Sequence, residues 1–150
     1  MRSNAERAAV LVRAIKASVS GDSSAICEMY TEDVRGWSPA RCISSTAELA
    51  VEFEDRENEF SDIDLKLEPL NVGGEQACVE WVASATHSGP LEIDGDRVIE
   101  PTGRRFTLCG ITIAEFMGGR ICSFREYWDE IGLLEQLQLL PRDEEAQLGA

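Results

Sequence analysis

Three residues of this chain have the chemistry to move a proton in a pocket: Glu126, Asp129 and His87, the last being the only histidine. Gly118-Gly119 reads as a two-residue hairpin turn, which sets Met117 opposite Arg120. Counting back from that turn, Ile113 faces Phe124, Ile111 faces Glu126 and Cys109 faces Trp128. Alternation then puts Cys122, Phe124, Glu126 and Trp128 on one face of the last strand. A carboxylate set among Ile111, Ile113, Phe124 and Trp128 loses the solvation of its charged form, so its pKa should rise toward neutrality. General acid–base catalysis by a carboxyl group needs that environment. The other role open to Glu126 is an ion pair with Arg41, Arg104 or Arg105 near the sheet rim.

Asp129 lies three residues further on, where a helix N-cap explains it fully; a second carboxylate there would also help to hold Glu126 protonated. His87 follows Val79, Trp81, Ala83 and Ala85 on one apolar face of a strand. A neutral imidazole at the end of such a wall could hydrogen-bond a substrate carbonyl, or serve only the structure. Trp37, Trp81, Ile111, Phe124, Trp128 and Phe53 form the expected substrate-binding set, with core packing as the competing role of the aromatics.

The elements that must position these groups follow from periodicity. Ala8, Leu11, Val12, Ile15 and Val19 recur at helical spacing over residues 4–20, and Gly21 closes that helix. A second, short helix is expected from Asp22 through Tyr30, then a turn and a short strand stopped by Pro39. Ser45-Thr46-Ala47-Glu48 is a capping box opening a third helix with the stripe Leu49, Phe53, Phe60. The period then changes to two: Ile63, Leu65 and Leu67 alternate with acids and Lys66. Gly73-Gly74 is a hairpin turn, a strand runs from Gln76 to about His87, and Asp94-Gly95 marks a turn in a polar loop. Phe106–Phe116 and Arg120–Trp128 form the last hairpin, and Asp129 opens a final helix that Pro141 stops. Helices first and hairpin-linked strands after them predict an α+β fold, with three N-terminal helices on a curved, mostly antiparallel sheet and a C-terminal helix.

Residues 1–150 read as one domain, with 141–150 as a flexible acidic tail. A net charge of −14 argues against nucleic acid and anionic lipid as partners. No apolar run approaches the ~20 residues that span a bilayer, and no signal-type segment opens the chain, so a cytoplasmic protein is expected. Cys27, Cys42, Cys78, Cys109 and Cys122 are odd in number and widely spaced, so they read as reduced thiols. With a single histidine and scattered acids, no metal site is expected, and nucleotide and nucleophile-elbow motifs are missing.

In combination, several motifs resemble the SnoaL-like polyketide and ester cyclases of the nuclear transport factor two-like superfamily. They are Tyr30-Thr31-Glu32-Asp33-Val34, Phe60-Ser61-Asp62, Thr86-His87-Ser88-Gly89 and Pro101-Thr102-Gly103-Arg104-Arg105. Gly119-Arg120-Ile121, Tyr127-Trp128-Asp129 and the run Gly132–Leu137 complete the set, and the likeness covers roughly residues 5–141. The resemblance implies a cone-shaped α+β barrel around a pocket, with the first three helices and Trp37 as its lid. It also implies frequent homodimers formed through the outer sheet face, and carboxylate or histidine chemistry without a cofactor. In such cyclases a carboxylate at the position of Glu126 is the acid–base residue; it is usually Asp, and Glu126 is one methylene longer. Steroid isomerase relatives carry an Asp near the place of Ser38, so isomerisation through that residue is disfavoured. Asp64 and Glu59 lie where epoxide-opening relatives draw an acid–base pair, but both read here as solvated charges.

The expected function is therefore a cofactor-free enzyme acting on a small hydrophobic molecule, polyketide-like or otherwise cyclic. Cyclisation, isomerisation and epoxide opening or hydrolysis are the candidate reactions. The alternatives are a non-catalytic ligand carrier of the same fold and an interaction module.

Overall fold

The computed structural model describes residues 2–93 and 97–140. Helix α1 (Asn4–Ser20) begins where the Ser3 hydroxyl accepts the Glu6 N–H at 3.2 Å. It ends at Gly21, whose φ of 74° is the left-handed value that glycine adopts without strain. Helix α2 is shorter than expected, only Ile26–Met29. The Asp22 carboxylate accepts the backbone N–H and the hydroxyl of Ser24 instead, a local turn that competes with the helix. Tyr30, expected in α2, starts strand β1 (Tyr30–Trp37), and β2 (Cys42–Ile43) pairs back on it. Helix α3 (Thr46–Glu59) is capped as its sequence proposes, with the Ser45 hydroxyl accepting the Glu48 N–H at 3.2 Å.

The long strands are β3 (Phe60–Leu70), β4 (Gln76–His87), β7 (Arg105–Met117) and β8 (Arg120–Trp128). A separate two-stranded ribbon, β5 (Leu91–Ile93) with β6 (Arg97–Ile99), lies between β4 and β7 in the chain. The Asp94-Gly95 turn, Pro141 and the 141–150 tail lie outside the described residues. Helix α4 (Glu130–Gln136) follows β8. The main sheet has the order β2-β1-β8-β7-β4-β3, antiparallel except for the parallel pair β1–β8. It is an α+β cone, but its sheet does not close into a barrel; β2 and β3 remain its edges and helices cover the open side.

Three register shifts interrupt the sheet, the first between Tyr30 and Arg35 of β1 where it pairs with β8. Between Ser61 and Asp64 the β3 register slips by one, with Asp62 at φ 51°. In β8, Met117 pairs with Arg120 and Phe116 with Ile121, as the turn implies, but Glu115 then pairs with Ser123. Cys122 is the extra residue, so every pair beyond it shifts by one. Glu126 faces Thr112 rather than Ile111, Phe124 faces Ala114, and Trp128 faces Gly110.

The core lies between the inner sheet face and α1 and α3, around Leu11, Ala14, Met29, Val34, Leu49, Phe53 and Phe124. Arg7 is buried and ties α1 to the β3–β4 turn, donating to the Gly74 and Gln76 carbonyls at 2.6 and 3.3 Å. Two glycines make room for aromatic rings. A Cβ on Gly36 would come within 2.2 Å of the Phe124 ring, and one on Gly110 within 2.2 Å of the Trp81 indole. Gly36→Ala should therefore displace Phe124 and lower stability by about 2 kcal/mol in urea unfolding; an unchanged midpoint would show that the ring has room to move.

Candidate active site

A cavity of about 300 Å³ opens between the inner sheet face and the helices. Trp81, Ala83 and Ala85 of β4, Leu65 and Ile63 of β3, and Phe106 and Leu108 of β7 make its apolar wall. Ile15 and Val19 of α1 and Leu133 and Leu134 of α4 close the helical side. Such a volume, walled mainly by apolar groups with a few polar ones, is that of a small-molecule site.

Glu126 reaches this cavity from β8, and it also borders a small void of about 20 Å³ behind it, next to Phe53, Tyr30 and Phe124. Burial pushes its carboxyl up from the usual 4.5 to about 7; Arg56 pulls the other way and Glu52 adds to the rise. The Arg56 guanidinium pairs with Glu52, one turn earlier on α3, at 3.0 Å. The expected partners of Glu126 at the rim, Arg104 and Arg105, are not at the cavity, whereas Arg41 is. Thr112, opposite Glu126, accepts the Trp81 indole N–H at 3.0 Å. Trp81 and Trp128 lie 6.3 Å apart at 58°, and the Trp128 N–H donates to Glu130 at 2.7 Å. Both indole rings are thereby held by hydrogen bonds as well as by packing.

Of the other expected site residues, Trp81 and Trp128 line the cavity. Phe53 and Phe124 stand behind it, at the small void. Ile111 does not line either space: alternation along β7 puts Thr112 on the inner face, and the Cys122 bulge sets Glu126 opposite Thr112 and not Ile111. Trp37 is also outside: Gly36 takes the inward position beneath Phe124, so alternation turns Trp37 out, 42% exposed, against Tyr127 at 5.2 Å. Neither Trp37 nor α2 forms part of the lid; α1, α3 and α4 do. Asp129 is the cap of α4, accepting the Gly132 N–H at 2.9 Å, and its side chain is not at the cavity.

His87 ends the apolar face of β4 as expected, but it is fully buried and not on the cavity wall. Its Nδ1 accepts the Thr102 backbone N–H at 3.2 Å and lies 3.0 Å from the Thr102 hydroxyl. An accepting Nδ1 places the ring proton on Nε2, which has no hydrogen-bonding partner among the described residues. Burial holds its pKa below the usual histidine value. His87 thus ties the end of β4 to the loop before β7, where its backbone also bonds Gly103 and Arg104.

One group of site residues escapes a reading by apolar stripes. Glu52, Asp55, Arg56 and Glu59 all face the cavity from α3. Their spacing, i, i+3, i+4 and i+7, is itself the signal: a single charged helical face beside the Leu49–Phe53 stripe. Glu59, read from sequence as solvated, is half-buried, and burial lifts its carboxyl to about 7. Asp64 is exposed, as expected.

Fold and pocket together define an α+β cone around a small-molecule cavity. The chain belongs to the SnoaL-like polyketide cyclase family, whose family model matches residues 9–137. Among solved structures, it is similar to TsrD from Streptomyces laurentii, with a TM-score of 0.79 and 23% identity over 93% of this chain and 100% of that one. AclR from Streptomyces galilaeus gives 0.73 and 24%, over 98% and 94% of the two chains. An LEH-like epoxide hydrolase from M. tuberculosis gives 0.66 and 14%, over 97% of each. At these identities the likeness is one of fold. No curated protein sequence matches the chain. No helix among the described residues is long and apolar enough to cross a membrane.

The raised pKa of Glu126 has a consequence for stability. Between the usual 4.5 and about 7, the folded protein keeps a proton that the unfolded chain releases. This group's contribution is therefore most favourable at low pH and falls as the pH climbs through about 7. Glu126→Gln should leave stability little changed near the usual carboxyl pKa of 4.5. At about pH 8 it should raise stability by on the order of 2 kcal/mol in urea unfolding; a difference independent of pH would mean that Glu126 titrates like a free glutamate.

Proposed function

We propose that the protein is an acid–base enzyme that moves a proton on a hydrophobic, cyclic or polyketide-like substrate, with Glu126 as the proton-transferring group. The observation that carries this reading is the Glu126 carboxyl at the edge of an apolar cavity, lifted by burial to about 7. A carboxyl with that pKa is a stronger base than a solvated glutamate, and near neutral pH it is present in both forms. As carboxylate it removes a proton from carbon next to a carbonyl, and the C–H electron pair passes into the enolate. As carboxylic acid it returns that proton to the product oxygen or carbon, so the enzyme is restored. Cyclisation and isomerisation both reduce to this pair of transfers. In epoxide opening the same group would activate a water or protonate the oxygen that leaves carbon. None of these steps calls for an electron acceptor or a metal.

Trp81 and Trp128 supply flat surfaces for a ring, and their tied N–H groups leave the ring faces as the contact. Membership in the SnoaL-like polyketide cyclase family supports the cyclisation branch, and the structural likeness to an LEH-like epoxide hydrolase supports the epoxide branch.

A planar probe that opens on loss of one C–H proton, 5-nitrobenzisoxazole, tests the base directly. Its turnover should rise with pH through about 7 and then level off. Glu126→Gln should lower the rate by about 100-fold or more while the probe still quenches tryptophan fluorescence. Equal rates in the two proteins with the probe bound would leave a ligand carrier as the better description.

A further inference from the structure

Six carboxyl groups border the cavity: Glu52, Asp55 and Glu59 from α3, Glu92 from β5, Glu126 from β8 and Glu130 from α4. Two guanidinium groups face them, Arg41 and Arg56. Arg56 is engaged by Glu52 at 3.0 Å, and both side chains are largely shielded. Glu130 accepts the Trp128 N–H. Among the described residues, no ion pair within 4 Å involves Glu59 or Glu126. Both have lost much of their hydration, and the nearby arginines do not offset that loss. The site therefore has more negative charge at its walls than it has positive charge to balance.

We infer that the ligand of this pocket is an apolar ring system carrying a protonated amine, with its ammonium group against Glu59 and Glu126 and its ring on Trp81 and Trp128. The inference rests on the cavity being a small-molecule site, and it names the class of molecule. An anionic ligand would meet six acids, with Arg41 the one lining arginine that has no ion pair among the described residues. A neutral ligand would leave Glu59 and Glu126 without a counter-charge whenever they ionise. A cation supplies what both carboxyls lack, and the indole faces add an attraction for it at close range. The net charge of −14 draws cations toward the protein from a distance.

Binding then has a chemical consequence. The ammonium group favours the ionised forms, so protons leave Glu59 and Glu126 for the solvent as the ligand enters. Glu126 becomes a carboxylate at neutral pH because the substrate is present, and the substrate itself arms the base.

Three naphthalene probes of nearly equal size test this: 2-(aminomethyl)naphthalene, 2-naphthylmethanol and 2-naphthoate. Binding would be followed by tryptophan fluorescence and by calorimetry in two buffers of different ionisation enthalpy. At about pH 7.5 the amine should bind about tenfold tighter than the alcohol, and the naphthoate weakest. The preference should shrink toward parity at about pH 5.5, and amine binding near neutrality should release protons. Glu59→Gln and Glu126→Gln should each reduce the preference by about threefold or more, with the fold checked by circular dichroism. If the alcohol binds as tightly as the amine, or no protons are released, the inference is overturned and the proton-transfer reading stands. If none of the probes binds, the inference falls together with the small-molecule site on which it rests.

Discussion

The pairing of β8 with β7 holds the site together, and one extra residue sets it. Cys122 adds a step to β8 just after the Gly118-Gly119 turn, and from there the two strands run one position out of the simple register. Glu126 is thereby brought opposite Thr112. Thr112 holds the Trp81 indole by its N–H, and Trp81 stands against Trp128. Gly110, paired with Trp128, is the residue whose missing side chain admits the Trp81 ring. Without the extra residue, alternation from the inward Ile121 would turn Phe124, Glu126 and Trp128 to the opposite face of β8, away from the cavity. A bulge also sharpens the local twist, which curves the sheet around the cavity instead of leaving it flat.

The second theme is the tension between burial and ionisation. Glu126 and Glu59 are both held by the fold in surroundings that disfavour charge, and both move to about 7. A fold selected for stability alone would place an apolar group or an amide at such positions. The Glu52–Arg56 pair moderates the field: its arginine lowers both pKa values and its glutamate raises them. Because the pair sits on one helix, i to i+4, its geometry is set by α3 and does not depend on a ligand.

The periodic elements are legible in the sequence alone. The Ser45 cap, the Gly21 stop, the four long strands and α4 follow from local chemistry, because caps and alternation are decided within a few residues. The approximate place of Glu126 was readable in the same way, since alternation from Phe124 to Trp128 is local. Its cross-strand neighbour was not. A bulge has no length signal in a single sequence, and a slip of one residue exchanges one face of β7 for the other. The direction of Trp37 is hidden from the sequence for a related reason: it depends on Gly36 lying beneath a ring from another strand.

The sequence by itself determined the α+β class, the family likeness and a carboxylate on the inner face of the last strand. Tertiary structure alone decided that His87 ties a loop, that the charged face of α3 looks into the cavity, and that Glu59 loses its solvent. The reason is one of range. Helix and strand form from contacts a few residues apart, whereas hydration of a carboxyl group depends on every element packed around it. Whether Glu59 on α3 meets water or the apolar wall of β3 and β4 is settled only when those elements come together.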